Sequence, residues 1–113
     1  MLAKRVLIVD DEPDIRLVVR VFATSVGHEI VGEAANGLQA IEMARQHQPD
    51  VIVLDVMMPG MTGLEALPQL REACPDATIV IFSVLGQDTE EAALADSWVQ
   101  KGEPLETLND AMG

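Results

Sequence analysis

The segment VIVLDVMMPGMTGLE, residues 51–65, carries the most informative pattern of this sequence. It opens with the continuous apolar run VIVL at 51–54, and a β-branched run of this length is typical of a strand that is buried on both faces. Thr62 is followed three residues later by Glu65, which is the pattern of a capping box at the start of a helix. The segment therefore predicts one strand–loop–helix unit, with Asp55 directly after the strand.

The same unit recurs along the chain. Four further apolar runs have the length of strands: RVLIV at 5–9, HEIVGEA at 28–34, TIVIF at 78–82 and SWVQ at 97–100. Segments with helical period lie between them. This alternation predicts the α/β class and a doubly wound (βα)5 fold in three layers, with a five-stranded parallel sheet covered by helices on both faces.

Three of the helical segments contain enough apolar residues to define a buried face. The predicted buried positions are Ile15, Val18, Val19, Phe22 and Val26 in the first helix, Leu38, Ile41 and Ala44 in the second, and Leu64, Leu67, Leu70 and Cys74 in the third. The fourth and fifth helices are predicted to be shorter. Capping patterns also mark the starts of the second and fourth helices, at Asn36 with Gln39 and at Asp88 with Glu91.

The composition limits the classes of protein that need to be considered. With 113 residues, 49% of them hydrophobic, the chain is expected to form a single domain over 1–113. Its formal net charge of −12 disfavours nucleic acid as a partner, since contacts to phosphates need clustered Lys or Arg. The sequence contains no signal-peptide pattern and no apolar run long enough to span a membrane, and the lone Cys74 cannot form an intramolecular disulfide. We therefore expect a cytoplasmic protein that does not contact a membrane.

The ends of the predicted strands carry the residues that could support chemistry. Asp10 and Asp11 follow the first strand, Asp55 the third, Ser83 the fourth and Lys101 the fifth. In an open parallel sheet, ligands bind beyond the carboxyl ends of the strands, so these side chains are expected to form one site.

Carboxylates gathered at such an edge repel one another and lose hydration, which favours a bound cation. Oxygen ligands suit Mg²⁺ or Mn²⁺, whereas zinc would require His or Cys ligands. His28 and His47 are placed badly for that edge, because the first opens a strand and the second ends a helix. We expect His28 to be a solvated strand start and His47 to be a cation near a helix C-terminus.

A carboxylate beside a divalent cation and a lysine can attack phosphorus, because both cations neutralise charge on the phosphoryl oxygens. In that scheme Asp55 is the nucleophile and becomes an aspartyl phosphate, while Asp10 and Asp11 hold the metal. Ser83 and Lys101 would each contact a phosphoryl oxygen. A structural ion cluster without turnover is the alternative that the residues leave open.

The runs VLIVDDE, VIVLDVMMPGMTGLE, IVIFS and WVQKG occur in this order, and together the chain resembles the receiver domains of bacterial two-component response regulators over its whole length. The resemblance implies the flavodoxin-like strand order 2-1-3-4-5. It also implies the roles of individual residues. These are Asp55 as the phosphoacceptor, Asp10, Asp11, Asp55 and the main-chain carbonyl of Met57 as metal ligands, Ser83 and Lys101 as phosphate contacts, and Ser83 and Trp98 as switch residues.

A receiver of this kind is a switch more than an enzyme, although it assists its own phosphoryl transfer and dephosphorylation. The resemblance implies a sensor histidine kinase or a phosphotransfer protein as the donor of the phosphoryl group. The output would be another domain or a downstream target protein, and homodimerisation stays open. Phosphorylation would shift an equilibrium in the face formed by the fourth helix, the fifth strand and the fifth helix.

Two departures from the family pattern affect these expectations. Gly102 follows Lys101 where receivers usually have proline, so a trans peptide bond is predicted, since a cis bond without proline costs about 2.5–4 kcal/mol. The stretch between Ser83 and Lys101 is short by roughly one helical turn, which indicates a trimmed fourth helix. A degenerate receiver, which would act as an interaction module without phosphorylation, is therefore the main alternative.

Rivals from other classes fit the sequence less well. A phosphohydrolase of the haloacid dehalogenase type should carry a D-x-D pattern after its first strand, where this chain has Asp10, Asp11 and Glu12. A flavodoxin-like electron carrier needs a phosphate loop rich in Ser and Thr at the same place, and acid there would repel the flavin phosphate.

Overall fold

The computed structural model describes residues 3–85 and 90–113, with side chains in the second range from residue 92 onward. Its strands are β1 (Arg5–Val9), β2 (Glu29–Ala34), β3 (Val51–Leu54), β4 (Thr78–Ser83) and β5 (Ser97–Gln100). Its α-helices are α1 (Pro13–Ser25), α2 (Gly37–His47), α3 (Gly63–Ala73) and α4 (Leu105–Ala111), and a 3-10 helix covers Glu90–Leu94. In the part of the chain so described, no helix combines the length and the apolar character needed to cross a membrane.

The strands form one parallel sheet in the order β2-β1-β3-β4-β5. The strand order and the α/β class predicted from the sequence are therefore confirmed. All five predicted strands are present, and three of them have the predicted bounds.

Helices cover the sheet on both faces, and each face has its own apolar core. Along β3 the side chains alternate, so that Ile52 and Leu54 pack with residues of α2 and α3, while Val51 and Val53 pack with residues of α1 and α4. Such burial on both sides explains why β3 is a continuous apolar run. The three-layer architecture is confirmed.

Two of the predicted helix starts have the expected caps. Asn36 accepts a hydrogen bond from the main-chain N–H of Gln39 at 2.9 Å. Thr62 and Glu65 form a complete capping box at the start of α3. The third predicted cap involves Asp88, which lies outside the described residues.

The predicted buried faces of α1 and α2 need correction. Val18 is 47% exposed and Leu38 is 66% exposed, whereas both were expected in the core. The fully buried positions of α1 are Val19 and Ala23, so its contact with the sheet is narrow and Val18 lies beside that contact. The buried residues of α2 are Gly37, Ala40, Ile41 and Ala44, and the helical period places Leu38 to one side of the face that they form.

The crossover between β4 and β5 differs most from a regular βα unit. The predicted short fourth helix is replaced, in the described portion of this crossover, by the 3-10 helix at Glu90–Leu94. Arg71 of α3 anchors this segment, because its guanidinium donates to the carbonyl oxygens of Leu94 (2.9 Å from Nη2) and Ala77 (2.7 Å). It also pairs with the Asp96 carboxylate at 2.8 Å, and Asp96 in turn accepts from the main-chain N–H of Ile79. The trimmed crossover is thus anchored by side chains.

The peptide bond after Lys101 is trans, as predicted, and no cis peptide bond occurs among the residues with described coordinates. Gly102 has a φ of +105°, which side chains rarely tolerate. Glycine at this position therefore gives the chain a sharp turn between β5 and α4 without proline.

Candidate functional site

The structure brings the predicted site residues together at the carboxyl edge of the sheet. Asp10 follows β1, Asp55 follows β3, Ser83 ends β4 and Lys101 follows β5. Asp10 is 2% exposed, Asp55 is 3% exposed and Ser83 is fully buried. Three polar side chains with so little access to water must satisfy one another or a ligand.

The acidic cluster predicted from the sequence is present. Asp10, Asp11 and Asp55 each offer one carboxylate oxygen, and these oxygens all lie within 4.8 Å of one another. A set of three oxygen donors, one of them partly exposed, suits a hard divalent cation that keeps some of its water ligands.

Lys101 links two of these carboxylates. Its Nζ lies 2.8 Å from Asp10 Oδ2 and 3.4 Å from Asp55 Oδ1, and its side chain is only 11% exposed. Burial lowers the pKa of Lys101, but the hydrogen bond to Asp10 and the charges of Asp10 and Asp55 outweigh burial and raise that pKa. The ammonium group therefore stays charged at the centre of the site.

Asp55 is the carboxyl group whose charge is most costly. Burial, and then the charge of Asp10, raise the pKa of Asp55 to about 6, against the opposing effect of Lys101. At neutral pH the group is mostly ionised, as a nucleophile must be. The favourable effect of Lys101 does not offset burial and the charge of Asp10 together, and a bound cation would add a further favourable charge beside the carboxylate.

Main-chain hydrogen bonds position the two carboxylates. The N–H of Asp10 donates to the carbonyl of Ala34 at 3.0 Å, and the N–H of Asp55 donates to the carbonyl of Val9 at 2.9 Å. Both bonds extend the pairing of adjacent strands by one residue. The carboxylates therefore leave the sheet from main chain that is as fixed as the strands themselves.

Gly63, within the MTGLE part of the long motif, explains how α3 starts so close to Asp55. A Cβ atom at this position would lie 1.9 Å from the main-chain oxygen of Asp55. The N–H of Gly63 donates to the carbonyl of Val56 at 2.9 Å. Only glycine permits this approach of the helix to the end of β3.

Ser83 and Trp98, the predicted switch residues, are connected through the chain that follows β4. The main-chain N–H of Leu85 donates to Ser83 Oγ at 3.2 Å, and the indole N–H of Trp98 donates to the carbonyl of Leu85 at 2.9 Å. A side-chain hydrogen bond from Gln100 to the carbonyl of Val84, at 3.3 Å, supports the same segment. Leu85 is therefore hydrogen-bonded to both predicted switch residues, through its main-chain N–H to Ser83 and through its carbonyl to Trp98.

Met57 lies beside the site, two residues after Asp55. A hydrogen bond from its main chain lowers the pKa of Asp55, while its side chain is 56% exposed. The predicted role of the Met57 carbonyl as a metal ligand is not tested by the carboxylate geometry and stays a prediction.

Sequence reasoning missed two residues near Asp10. Arg16 Nη1 donates to the main-chain carbonyl of Asp10 at 2.6 Å, and Glu33 Oε1 lies 3.4 Å from Arg16 Nε. Both residues lie among polar positions that look like ordinary solvated surface in the sequence. Hydrophobic periodicity therefore does not distinguish them from other surface residues. The spacing of Arg16 from the Asp10–Asp11 pair, within the first turn of α1, is the available hint.

His28 is not the solvated strand start that was expected. It is buried, its Nδ1 accepts from the main-chain N–H of Lys4, and its Nε2 lies 3.0 Å from Asn109 Oδ1. Because Nδ1 is an acceptor, Nε2 carries the proton and donates to Asn109. His28 thus joins β1, β2 and α4 outside the acidic cluster, and no role in metal binding follows from this position.

Comparison with known proteins adds independent information. A sequence model described as the response regulator receiver domain matches residues 6–111. The chemotaxis protein CheY of Thermotoga maritima is 38% identical over 86 residues, which cover 76% of this chain and 72% of that protein. The nitrate/nitrite response regulator protein NarL of Escherichia coli K12 is 38% identical over 112 residues, which cover 95% of this chain and 52% of NarL.

A solved structure resembles the whole fold. The response regulator protein TrrA of Thermotoga maritima, in complex with Mg²⁺-BeF, superposes with a TM-score of 0.89 at 32% identity, covering 95% of this chain and 94% of that one.

Proposed function

This chain belongs to the response regulator receiver domain family, and we propose that it is a phosphorylation-dependent signalling switch that accepts a phosphoryl group on Asp55. The donor would be a phosphohistidine of a sensor histidine kinase or of a phosphotransfer protein. The proposal rests above all on Lys101, whose ammonium group contacts the carboxylates of both Asp10 and Asp55.

The residues that would hold Mg²⁺ are Asp10, Asp11 and Asp55, with the main-chain carbonyl of Met57 as a further ligand. Mn²⁺ would suit the same oxygen donors. When bound, the cation supplies charge neutralisation for the phosphoryl oxygens. The raised pKa of Asp55 is compatible with this assignment, because burial first and the charge of Asp10 second make the ionised carboxylate costly in the absence of a cation.

The transfer itself forms one bond and breaks one. An oxygen of the ionised Asp55 carboxylate attacks phosphorus, a P–O bond forms, and the P–N bond to the donor histidine breaks. The donor imidazole, which carries a proton on its other ring nitrogen, leaves with the electron pair of the P–N bond as a neutral ring. Lys101 is charged and 11% exposed, so its ammonium can turn from Asp55 to an oxygen of the incoming group.

The switching step would begin at Ser83. Its hydroxyl oxygen now accepts from the N–H of Leu85, and a phosphoryl oxygen at Asp55 would accept a charge-assisted hydrogen bond from the same hydroxyl and draw it towards the site. A shift of Ser83 Oγ would loosen Leu85, whose carbonyl holds the indole of Trp98. Phosphorylation would thereby change the surface formed by β5 and its neighbours.

The remaining parts of the proposal concern context. We propose a regulator that assists its own phosphoryl transfer, not an enzyme acting on a separate substrate, with an output domain or target protein downstream. The match covers about half of NarL, so NarL contains a further region that this comparison does not match. The comparison therefore supports the proposed chemistry of the receiver and does not identify its output. The cytoplasm is the compartment in which we propose that it acts.

Intact mass spectrometry tests the chemistry directly. The chain is incubated with acetyl phosphate and Mg²⁺, next to Asp55→Asn and next to wild type with the metal chelated. We expect one phosphoryl adduct on wild type alone. An adduct that persists in Asp55→Asn would contradict the assignment of the acceptor. No adduct under any condition would favour the degenerate receiver, an alternative that the trimmed β4–β5 crossover keeps open.

A further inference from the structure

The main chain of Asp10 is held from outside the acidic cluster. Arg16, in the first turn of α1, reaches the carbonyl oxygen of Asp10 with Nη1 at 2.6 Å. The same residue has its N–H bonded within the helix, to the carbonyl of Glu12. Its side chain is 19% exposed, so the contact is largely shielded from water.

Glu33 of β2 orients this guanidinium. One Glu33 oxygen lies 3.4 Å from Arg16 Nε, and the other lies 2.9 Å from Arg20 Nη1. A guanidinium has a rigid planar arrangement of donors, so fixing Nε by a carboxylate also fixes the direction of Nη1. Arg16 is therefore held between β2 and the loop that follows β1.

The peptide group that Arg16 contacts connects the two consecutive acids of the cluster. Its carbonyl belongs to Asp10, and its N–H belongs to Asp11. The N–H of Asp10 is already bonded to Ala34, so the contact from Arg16 fixes the second polar group of the Asp10 main chain. With the plane of this peptide group fixed, the N and Cα atoms of Asp11 are fixed as well, and rotation about the N–Cα bond is the main-chain freedom left to direct its side chain.

We propose that Arg16, oriented by Glu33, is a positioning residue for the divalent-cation site, and that it acts by holding the peptide group between Asp10 and Asp11. The inference rests on the proposed function, because it concerns the same metal site. Arg16 donates to a carbonyl and not to the carboxylates of the cluster, so it leaves their oxygens available to a cation.

Because Arg16 is positively charged, positioning and electrostatic repulsion predict opposite changes in Mg²⁺ affinity when Arg16 is removed. A guanidinium close to the cluster repels a divalent cation, so its charge alone would weaken Mg²⁺ binding. Removal of Arg16 would then tighten the binding of Mg²⁺. If positioning dominates, removal weakens it instead. A merely structural role would lower the stability of the fold and leave the affinity of the folded protein unchanged.

The experiment is a calorimetric titration with Mg²⁺ of wild type, Arg16→Met, Arg16→Lys and Arg20→Met, with the stability of each measured separately in EDTA. Arg16→Met is expected to weaken the Mg²⁺ affinity by about tenfold, the size of effect seen when outer-shell partners are lost. Arg16→Lys should recover part of the affinity, since an ammonium can also donate to the carbonyl. Arg20→Met, which removes the exposed partner of Glu33, should stay within about twofold of wild type.

Unchanged or tighter Mg²⁺ binding by Arg16→Met, beside normal binding by wild type, would overturn this inference and leave the proposed function standing. Absence of Mg²⁺ binding by wild type would overturn both. If Arg16→Met does not fold, Glu33→Gln provides the same test, because it releases the guanidinium without removing it. An affinity of Glu33→Gln and Arg16→Lys equal to that of wild type would then overturn the inference.

Discussion

On the β1 and β3 side of the functional edge, Asp10 and Asp55 are placed by main-chain hydrogen bonds that continue the sheet. On the β4 and β5 side, Ser83 and Trp98 are joined through side-chain bonds to Leu85. The first arrangement cannot change without disrupting strand pairing. The second can exchange one partner for another at the modest net cost of a single hydrogen bond, about 1 kcal/mol.

This difference separates two tasks within one site. A nucleophile and its metal ligands need fixed positions, since small displacements of reacting groups cost rate. A switch needs an element with two arrangements of similar free energy. Under the proposed function, the first task falls to central strands and the second to the edge strand β5 and the crossover before it. Lys101 is the residue that connects the two sides.

Gly63→Ala tests the rigidity of the first side and should have the largest effect. The added Cβ would lie 1.9 Å from the main-chain oxygen of Asp55, so α3 or the end of β3 must move. We expect the free energy of unfolding to fall by about 3 kcal/mol or more, measured by urea denaturation. Gly27→Ala is the matched control, since its φ is +99° and no atom lies within 4 Å, and it should cost about 1 kcal/mol. Equal losses for both variants would contradict the fixed placement of Asp55.

Removal of the negative charge of Asp55 should have the next largest effect, and it should raise the free energy of unfolding where Gly63→Ala lowers it. The folded carboxyl has a pKa of about 6 against the ordinary 3.8, so between these values the folded protein binds a proton that the unfolded chain has lost. In EDTA, the free energy of unfolding should therefore rise as the pH falls from 7 towards 4. Asp55→Asn should be more stable than wild type by up to about 3 kcal/mol at pH 7.5, and this difference should nearly vanish near pH 4.

Mg²⁺ should reverse that order, because wild type gains stability from the cation and Asp55→Asn loses a ligand. Asp76→Asn, an exposed acid in the turn before β4, serves as the control and should change stability by less than about 0.5 kcal/mol. A wild type that is as stable as Asp55→Asn at pH 7.5 in EDTA would show that the acidic cluster carries no net repulsion.

Arg71→Met tests the second side and should have the smallest effect. It removes the bonds to Leu94, Ala77 and Asp96 that anchor the trimmed crossover. We expect a loss of about 1.5 kcal/mol in unfolding free energy and a shift of Trp98 fluorescence towards that of exposed indole. The Mg²⁺ affinity should stay unchanged, since the acids are held by other strands. A weakened Mg²⁺ affinity would mean that the two sides are not independent.

The sequence predicted the parts of this molecule that depend on local pattern. Strands buried on both faces, such as β3, appear as continuous apolar runs, and the caps at Asn36 and Thr62 are set by side chains three residues apart. The acidic cluster could be predicted because the ends of parallel strands meet at one edge. Asp10 and Asp55 could therefore be assigned to one site without knowledge of side-chain packing.

Parts that depend on distant partners could not be predicted. His28 is buried because Lys4 and Asn109 supply both of its hydrogen bonds, and Asn109 is 81 residues away in the sequence. The 3-10 helix at Glu90–Leu94 is held by Arg71, a residue of another helix. Arg16 is similar, since its partner Glu33 lies on a different element. In each case the polar residue has its partner on another element, so local periodicity gives no sign of the contact.

The strand order also determines when the charges of the site meet during synthesis. A nascent chain emerges from the ribosome in sequence order, and β1 pairs with β2 and then with β3. Asp10 and Asp55 are thus brought together on neighbouring strands before the last strand is available. Lys101 follows β5 and contacts both carboxylates only when the sheet is complete. If the strands pair in the order of synthesis, the compensating charge is the last to arrive, and the electrostatic repulsion at this site is greatest just before the sheet is complete.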